Sequence, residues 1–300
     1  MLPLQGAEKN GMVSSVPAKS RAVNDLYPGL TIGAFTYAVA LELPKGVLLK
    51  AGDLIIHDKE LSEEIAKAQE QMRPKLEKNA FFVLEQMATF KLLLAEAKAD
   101  AAKSGRDISQ KNEQKIVQDY LPTLVKDVQV VDSEVLYFYN NNKDTLGGAS
   151  LGQVGPQIAK FLLEQKQQDF INKYIQTLGQ RLQIEISAPW LKAQADLAKD
   201  NPVDKVRASG MVSLVDFGST GCVPCDMLAP ILETLKEKYK GKVNVVFIHV
   251  GQEPILASRY GIQTIPVQIF FDKTGKEVFR HVGFFPQEQI EGKLSEMGVK

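Results

Sequence analysis

Leu214-Val215-Asp216-Phe217-Gly218-Ser219-Thr220-Gly221-Cys222-Val223-Pro224-Cys225-Asp226-Met227-Leu228-Ala229-Pro230-Ile231-Leu232 contains both cysteines of a 300-residue chain and runs an apolar strand straight into the start of a helix. Two thiols at i and i+3 on a first helical turn are close enough to bond. The first sits where unpaired N–H groups and the helix dipole favour a thiolate, and the second turns inward. That asymmetry makes Cys222 a nucleophile and Cys225 a resolving thiol. Two other readings stand beside the redox one. A metal site needs two more soft ligands, and the chain offers only His57, His249 and His281. A structural disulfide across so short a loop stabilises little in the chain-entropy model. Asp216 lies within an apolar strand, where an unpaired charge is costly. A buried carboxyl of raised pKa beside a thiol suits proton shuttling.

Outward from this stretch, residues 211–300 alternate regularly. Strand patterns at Val212–Phe217 and Val243–Val250 bracket a helix from Cys222 to Tyr239, and a helical segment follows at Ile255–Tyr260. Strands at Val267–Asp272 and Glu277–Val282 flank the turn Lys273-Thr274-Gly275, and a helix at Glu288–Met297 closes the chain. Strand, helix, strand, then a hairpin and a terminal helix predict an α/β sandwich with a mixed sheet. Ile265-Pro266 falls between a turn signal and a strand. That position predicts a cis proline that exposes the backbone of Ile265 for strand-like pairing with a peptide.

Together, LVDFGSTGCVPCDMLAPIL and, 41 residues after Cys225, the proline of GIQTIPVQIFF resemble the thioredoxin family over about 90 residues. The resemblance implies a thioredoxin fold and protein thiol-disulfide exchange without a cofactor or metal. It gives Asp216 as the buried acid beneath the disulfide, Pro230 as the helix-kinking proline, Pro266 as the cis-proline and Gly283 as the glycine beside the site. With Ile265, Pro266 and Gly283 would form the substrate-binding edge. The chain departs from the family pattern at two places. Gly221 stands where tryptophan is common, and Phe247 where a lysine usually approaches the buried acid. The Val223-Pro224 insert occurs among exported thioredoxin-like reductants.

The first two thirds read differently. Residues 1–28 are polar and irregular and predict a flexible arm. Strand patterns at 47–56 precede a helix capped by Asp58 and running Lys59–Gln71. Further helices are expected at Lys75–Lys103, at Ser109–Leu121 ended by Pro122, from Asp132 to the Asn140-Asn141-Asn142 cluster, and from a capping box at Ser150 and Gln153 to Leu182. Ile184–Ile186 suits a short strand. Residues 187–210, with Pro189, Asn201-Pro202 and Ser209-Gly210, read as a linker between a domain at 29–186 and one at 211–300. His57 reads as a surface or capping residue, and Phe81, Phe82 and Phe90 as core.

The order of a DKELSEEI helix, a helix ending LLLAEAKADAAKSG, the segment VVDSEVLYFYNNNKD and a final helix with KFLLEQKQQDFINKYIQTL is similar to the chaperone core of SurA-type periplasmic foldases, over about 140 residues. Only about eight residues, Lys143–Ser150, join the last two helices, which leaves no room for a parvulin isomerase module. The overall expectation is an α+β two-domain protein, a mostly helical SurA-like domain followed by a thioredoxin-fold sandwich.

Composition limits the partners. Lysine plus arginine number 36, and so do aspartate plus glutamate, so no bulk charge draws the chain to nucleic acid or to an anionic membrane. No apolar run reaches the ~18–20 residues of a spanning helix. Leu30–Leu43 comes closest, with Ala38-Val39-Ala40 faintly like a signal-peptidase site, and reads better as a buried strand or ordered arm. The resemblances imply a periplasmic or otherwise exported protein acting on disulfide-containing or unfolded polypeptides. They also imply a membrane thiol-disulfide electron donor and self-association through the helical half. A holdase with little redox activity and a cytosolic thioredoxin fusion are the rival readings.

Overall fold

A computed structural model describes residues 21–300, apart from the side chains of residues 144 and 145. Most of the arm expected at 1–28 thus lies outside the described residues. Its last part is docked: α1 (Val23–Leu26) buries Val23 completely, and the Val23 N–H donates to the Ala38 carbonyl at 2.7 Å. The apolar run after it is ordered too. A 3₁₀ turn at Ala34–Tyr37 buries Phe35 and leads into β1 (Val39–Leu41).

β2 (Val47–Ala51) and β3 (Leu54–His57) form the hairpin that Gly52-Asp53 predicts, and α2 (Asp58–Ala66) follows. The cap of α2 is His57 rather than Asp58: its backbone N–H donates to Glu60 Oε1 at 3.2 Å, one residue earlier than the composition suggested. The long helix expected from Lys75 is divided at Asn79 into α3 (Arg73–Lys78) and α4 (Ala80–Lys103). α5 (Glu113–Leu124) starts four residues later than expected, because Asn112 Oδ1 accepts from the Lys115 N–H. It carries Pro122 within its last turn. α6 (Asp132–Asn141) and α7 (Leu151–Arg181) match the expected pair.

The strand after α7, β4 (Glu185–Ser187), returns to the front of the chain. It pairs parallel with β1 and antiparallel with β2, giving a sheet ordered β1-β4-β2-β3. The helical half is therefore closed by pairing its two ends, and α4 packs over this sheet with Phe81, Leu84 and Ala88 buried. Gly179 is where α7 crosses the Ala34–Tyr37 turn; a side chain there would run into the Ala34 carbonyl.

Residues 187–210 are folded rather than open linker. α8 (Ala188–Ala198) buries Leu191 and Ala195 in the core of the helical half. α9 (Pro202–Arg207), capped by Asn201 Oδ1, buries Val203 among Val215, Phe217, Ile269 and Phe271 of the C-terminal half. The apolar spacing of Leu191, Ala195 and Ala198 outweighs the proline and glycine punctuation around it.

The C-terminal sheet has the order β6-β5-β7-β8, from β5 (Val212–Gly218), β6 (Val243–His249), β7 (Val267–Phe271) and β8 (Glu277–Val282). β6 runs parallel to β5; β7 is antiparallel to β5, and β8 to β7. α10 (Val223–Lys238) and α12 (Gln287–Glu296) cover the face of Leu214 and Phe270, and α9 and α11 (Pro254–Arg259) cover the opposite face. All seven residues of β5 are buried, as a central strand covered on both faces requires.

A buried ionic knot joins the halves. Asp204 accepts from Arg259 at 2.8 Å, from Arg207 at 3.1 Å and from the Tyr260 hydroxyl at 3.0 Å. The two guanidinium groups also donate to the carbonyls of Pro28, Gly29 and Ala198. Nearby, buried Glu85 accepts from the Thr31 hydroxyl and the Phe35 N–H, and burial pushes its pKa up.

Candidate active site

β5 ends in Gly218, and the chain turns through Ser219–Gly221 to place Cys222 as the residue before α10. Gly221 has φ of 77°, the left-handed region that a tryptophan would enter only at a cost. Cys222 is joined to Cys225, with 5.2 Å between their Cα atoms. Cys222 is half-buried, whereas Cys225 is buried on the inner side of the first helical turn. Val223 between them is 71% exposed.

Asp216 is 1% exposed and lies two residues before the end of β5. Its Oδ1 accepts from Gln268 Nε2 at 2.7 Å, while its Oδ2 is buried without a partner among the described residues. Burial raises its pKa to about 6, against the lowering effect of the Gln268 hydrogen bond. The carboxyl therefore titrates near neutrality and can hold or release a proton.

The Ile265-Pro266 peptide is cis. The Gly283 N–H donates to the Pro266 carbonyl at 2.8 Å, so Pro266 and Gly283, far apart in sequence, meet on one edge. Pro230, expected as a helix-kinking proline, lies inside α10.

The Thioredoxin family model matches residues 194–296. A thioredoxin of Staphylococcus aureus is 43% identical over 79 residues, which are 26% of this chain and 75% of that protein. This chain belongs to the thioredoxin family. Among solved structures, chloroplastic thioredoxin z is 33% identical, with 32% of this chain and 85% of that one covered and a TM-score of 0.30. A mutant thioredoxin from Halobacterium salinarum is 31% identical, with 33% and 83% covered and a TM-score of 0.30. All these matches fall on about a third of the chain or less. The thioredoxin homology supports a thiol-disulfide oxidoreductase role for that part.

Within the thioredoxin part, Phe247 pairs with Asp216 across β5 and β6 and is 48% exposed. Its ring and the Cys225 sulfur close on Gly218: a Cβ there would meet Phe247 Cε2 at 2.9 Å and Cys225 Sγ at 3.4 Å. The residue opposite Asp216 on β6 thus carries an apolar ring and no charge. The sequence did not single out Gln268, and it offered His249 only as a candidate metal ligand. Gln268, a lone amide in the strand Val267-Gln268-Ile269-Phe270, carried the same signal as Asp216, a polar group in an apolar run. His249 Nε2 lies 3.4 Å from both the backbone nitrogen and the hydroxyl of Thr220. Its sequence gave no such signal, since it ends its strand.

Proposed function

We propose that this chain reduces or isomerises disulfides in polypeptide substrates. The Cys222 thiolate attacks one sulfur of a substrate disulfide, forming a mixed disulfide and releasing the other sulfur as a thiolate, which takes a proton. Cys225 loses its proton to the Asp216 carboxylate and attacks the Cys222 sulfur. The substrate's second sulfur then leaves and is protonated to a thiol. Two electrons have passed to the substrate, and the protein pair is left as the Cys222–Cys225 disulfide. The backbone of Ile265, presented at Pro266 and Gly283, aligns the substrate strand. The observation that carries this reading is the half-buried Cys222 at the start of α10, bridged to a buried Cys225, in a domain whose central strand holds an Asp216 oxygen unpartnered among the described residues. The isoleucine before Pro266 and the buried acid lean towards reduction or isomerisation rather than strong oxidation.

In the same reading residues 29–186 are a SurA-like platform for non-native polypeptide, in an exported protein fed by a membrane thiol-disulfide donor. Support comes from the helix pattern and from apolar side chains left at the surface of α6 and α7, Leu136, Tyr137 and Phe170. The test is insulin reduction with dithiothreitol as the electron source. The chain should accelerate precipitation of the insulin B chain, and Cys222→Ser should abolish the acceleration. Equal rates for the two proteins would leave a holdase without redox activity as the better account.

A further inference from the structure

The thioredoxin part does not meet solvent on all sides of its candidate substrate edge, because α7 runs past it. Between them lies a cleft of about 640 Å³. One wall is α7, through Gln165, Gln168, Asp169 and Asn172, and the other is the segment from Gly261 to Thr264. Thr264 adjoins Ile265, so the cleft opens beside the cis-proline edge. A second hollow of about 380 Å³ shares Gln168, Asn172, Gly261 and Gln263 with the first, which makes one groove continuing towards Arg259.

We propose that this groove is a subsite for an extended, basic segment flanking the disulfide presented to Cys222, an inference that rests on the reductase reading above. Gln168 Nε2 donates to Asn172 Oδ1 at 3.0 Å, and this bond fixes both amides. It leaves the Gln168 oxygen as acceptor and the Asn172 nitrogen as donor, the pair that one N–H and one C=O of an extended chain would satisfy. From residue 165 to residue 172 the helix rises about 10 Å, the length of about three extended residues. The charges on the wall decide the flank. Arg280, which also lines the cleft, is engaged by Glu277 at 2.8 Å and by the Tyr260 carbonyl at 2.8 Å. Glu164 is paired with Lys160 at 3.9 Å, which leaves exposed Asp169 as the lining carboxylate without an ion pair among the described residues. The wall is therefore amide-rich and net acidic, and it favours lysine or arginine over an acidic side chain.

The test uses the full chain, a disulfide-ringed peptide with no flank, the same ring with a four-residue basic or acidic flank, and a small aryl disulfide. The basic flank should lower KM about tenfold, the scale of two hydrogen bonds, with kcat unchanged. Gln168→Ala/Asn172→Ala should erase that gain, and Asp169→Lys should shift the preference to the acidic flank. Alanine favours helix, so α7 should persist in the double variant. A second measurement does not depend on those variants: in Cys225→Ser carrying the basic-flanked peptide as a mixed disulfide, amides of 261–264 should exchange more slowly than with the unflanked ring. Equal KM for flanked and unflanked rings, or unchanged exchange, overturns the subsite. Failure to reduce even the aryl disulfide would instead overturn the reductase reading.

Discussion

Replacing Asp216 with asparagine should stabilise the thioredoxin part, and only above a definite pH. The folded carboxyl titrates at about 6, against 3.8 for the free group. The sign follows from proton binding. Below about pH 4 both folded and unfolded chains hold the proton, and burial costs nothing extra. Between about 4 and 6 the unfolded chain releases it while the folded chain keeps it, so stability falls as pH rises. Above about 6 both are ionised and the full penalty stands. A shift of about 2 units corresponds to about 3 kcal/mol. Asparagine keeps an oxygen to accept from Gln268 and cannot ionise. Amide exchange of β5 and β7, corrected for intrinsic rates, reads the local stability without requiring the two halves to unfold together. The variant should match the native chain near pH 4 and exceed it by about 3 kcal/mol at pH 8. A difference that stays flat between those pH values would refute a buried carboxyl of raised pKa.

Four further outcomes are expected. In the reduced protein, iodoacetamide should label Cys222 much faster than Cys225, since only Cys222 is accessible at a helix start; mass spectrometry of the labelled peptides decides it. Cys225→Ser should accumulate mixed disulfides with protein partners on non-reducing gels, and Cys222→Ser should accumulate none. The rate at which Cys225 resolves such adducts should rise with pH through about 6 in the native chain and lose that rise in Asp216→Asn, as stopped-flow release of substrate would show. Asp204→Ala strands Arg207 and Arg259 against buried surroundings and should cost about 3–5 kcal/mol in denaturant unfolding, while Lys236→Ala at the surface should cost almost nothing.

The C-terminal part was legible because its signals are local and dense. The strand Leu214–Phe217, the cysteine pair and Pro266 each fix a backbone feature, and the structure has β5 over Val212–Gly218, Cys222 joined to Cys225, and a cis peptide before Pro266. Gln268 was missed although Asp216, its partner, was not: one polar residue in an apolar run was read as function and the other passed over. His249 reaches Thr220, in the loop after β5, because the parallel pairing sets it opposite Gly218, and strand pairing is not written in either strand. The same limit explains the helical half. Its helices followed from periodicity, but β4 joining β1 and β2 is a contact between the two ends of that half, Val39 meeting Glu185. The zone 187–210 failed for a different reason. Pro189, Pro202 and Gly210 look like punctuation, yet two of them occupy first-turn positions of α8 and α9, where proline is favoured.

The reduction potential of the Cys222–Cys225 couple tests the central claim most directly. Equilibration of the chain with glutathione redox buffers, acid quenching and mass counting of labelled thiols would give it. The account predicts a single two-electron couple at or below about −180 mV, in the range of isomerases and reducing thioredoxins. A value near about −120 mV, typical of a strong oxidant, or a pair that never exchanges with glutathione, would contradict it.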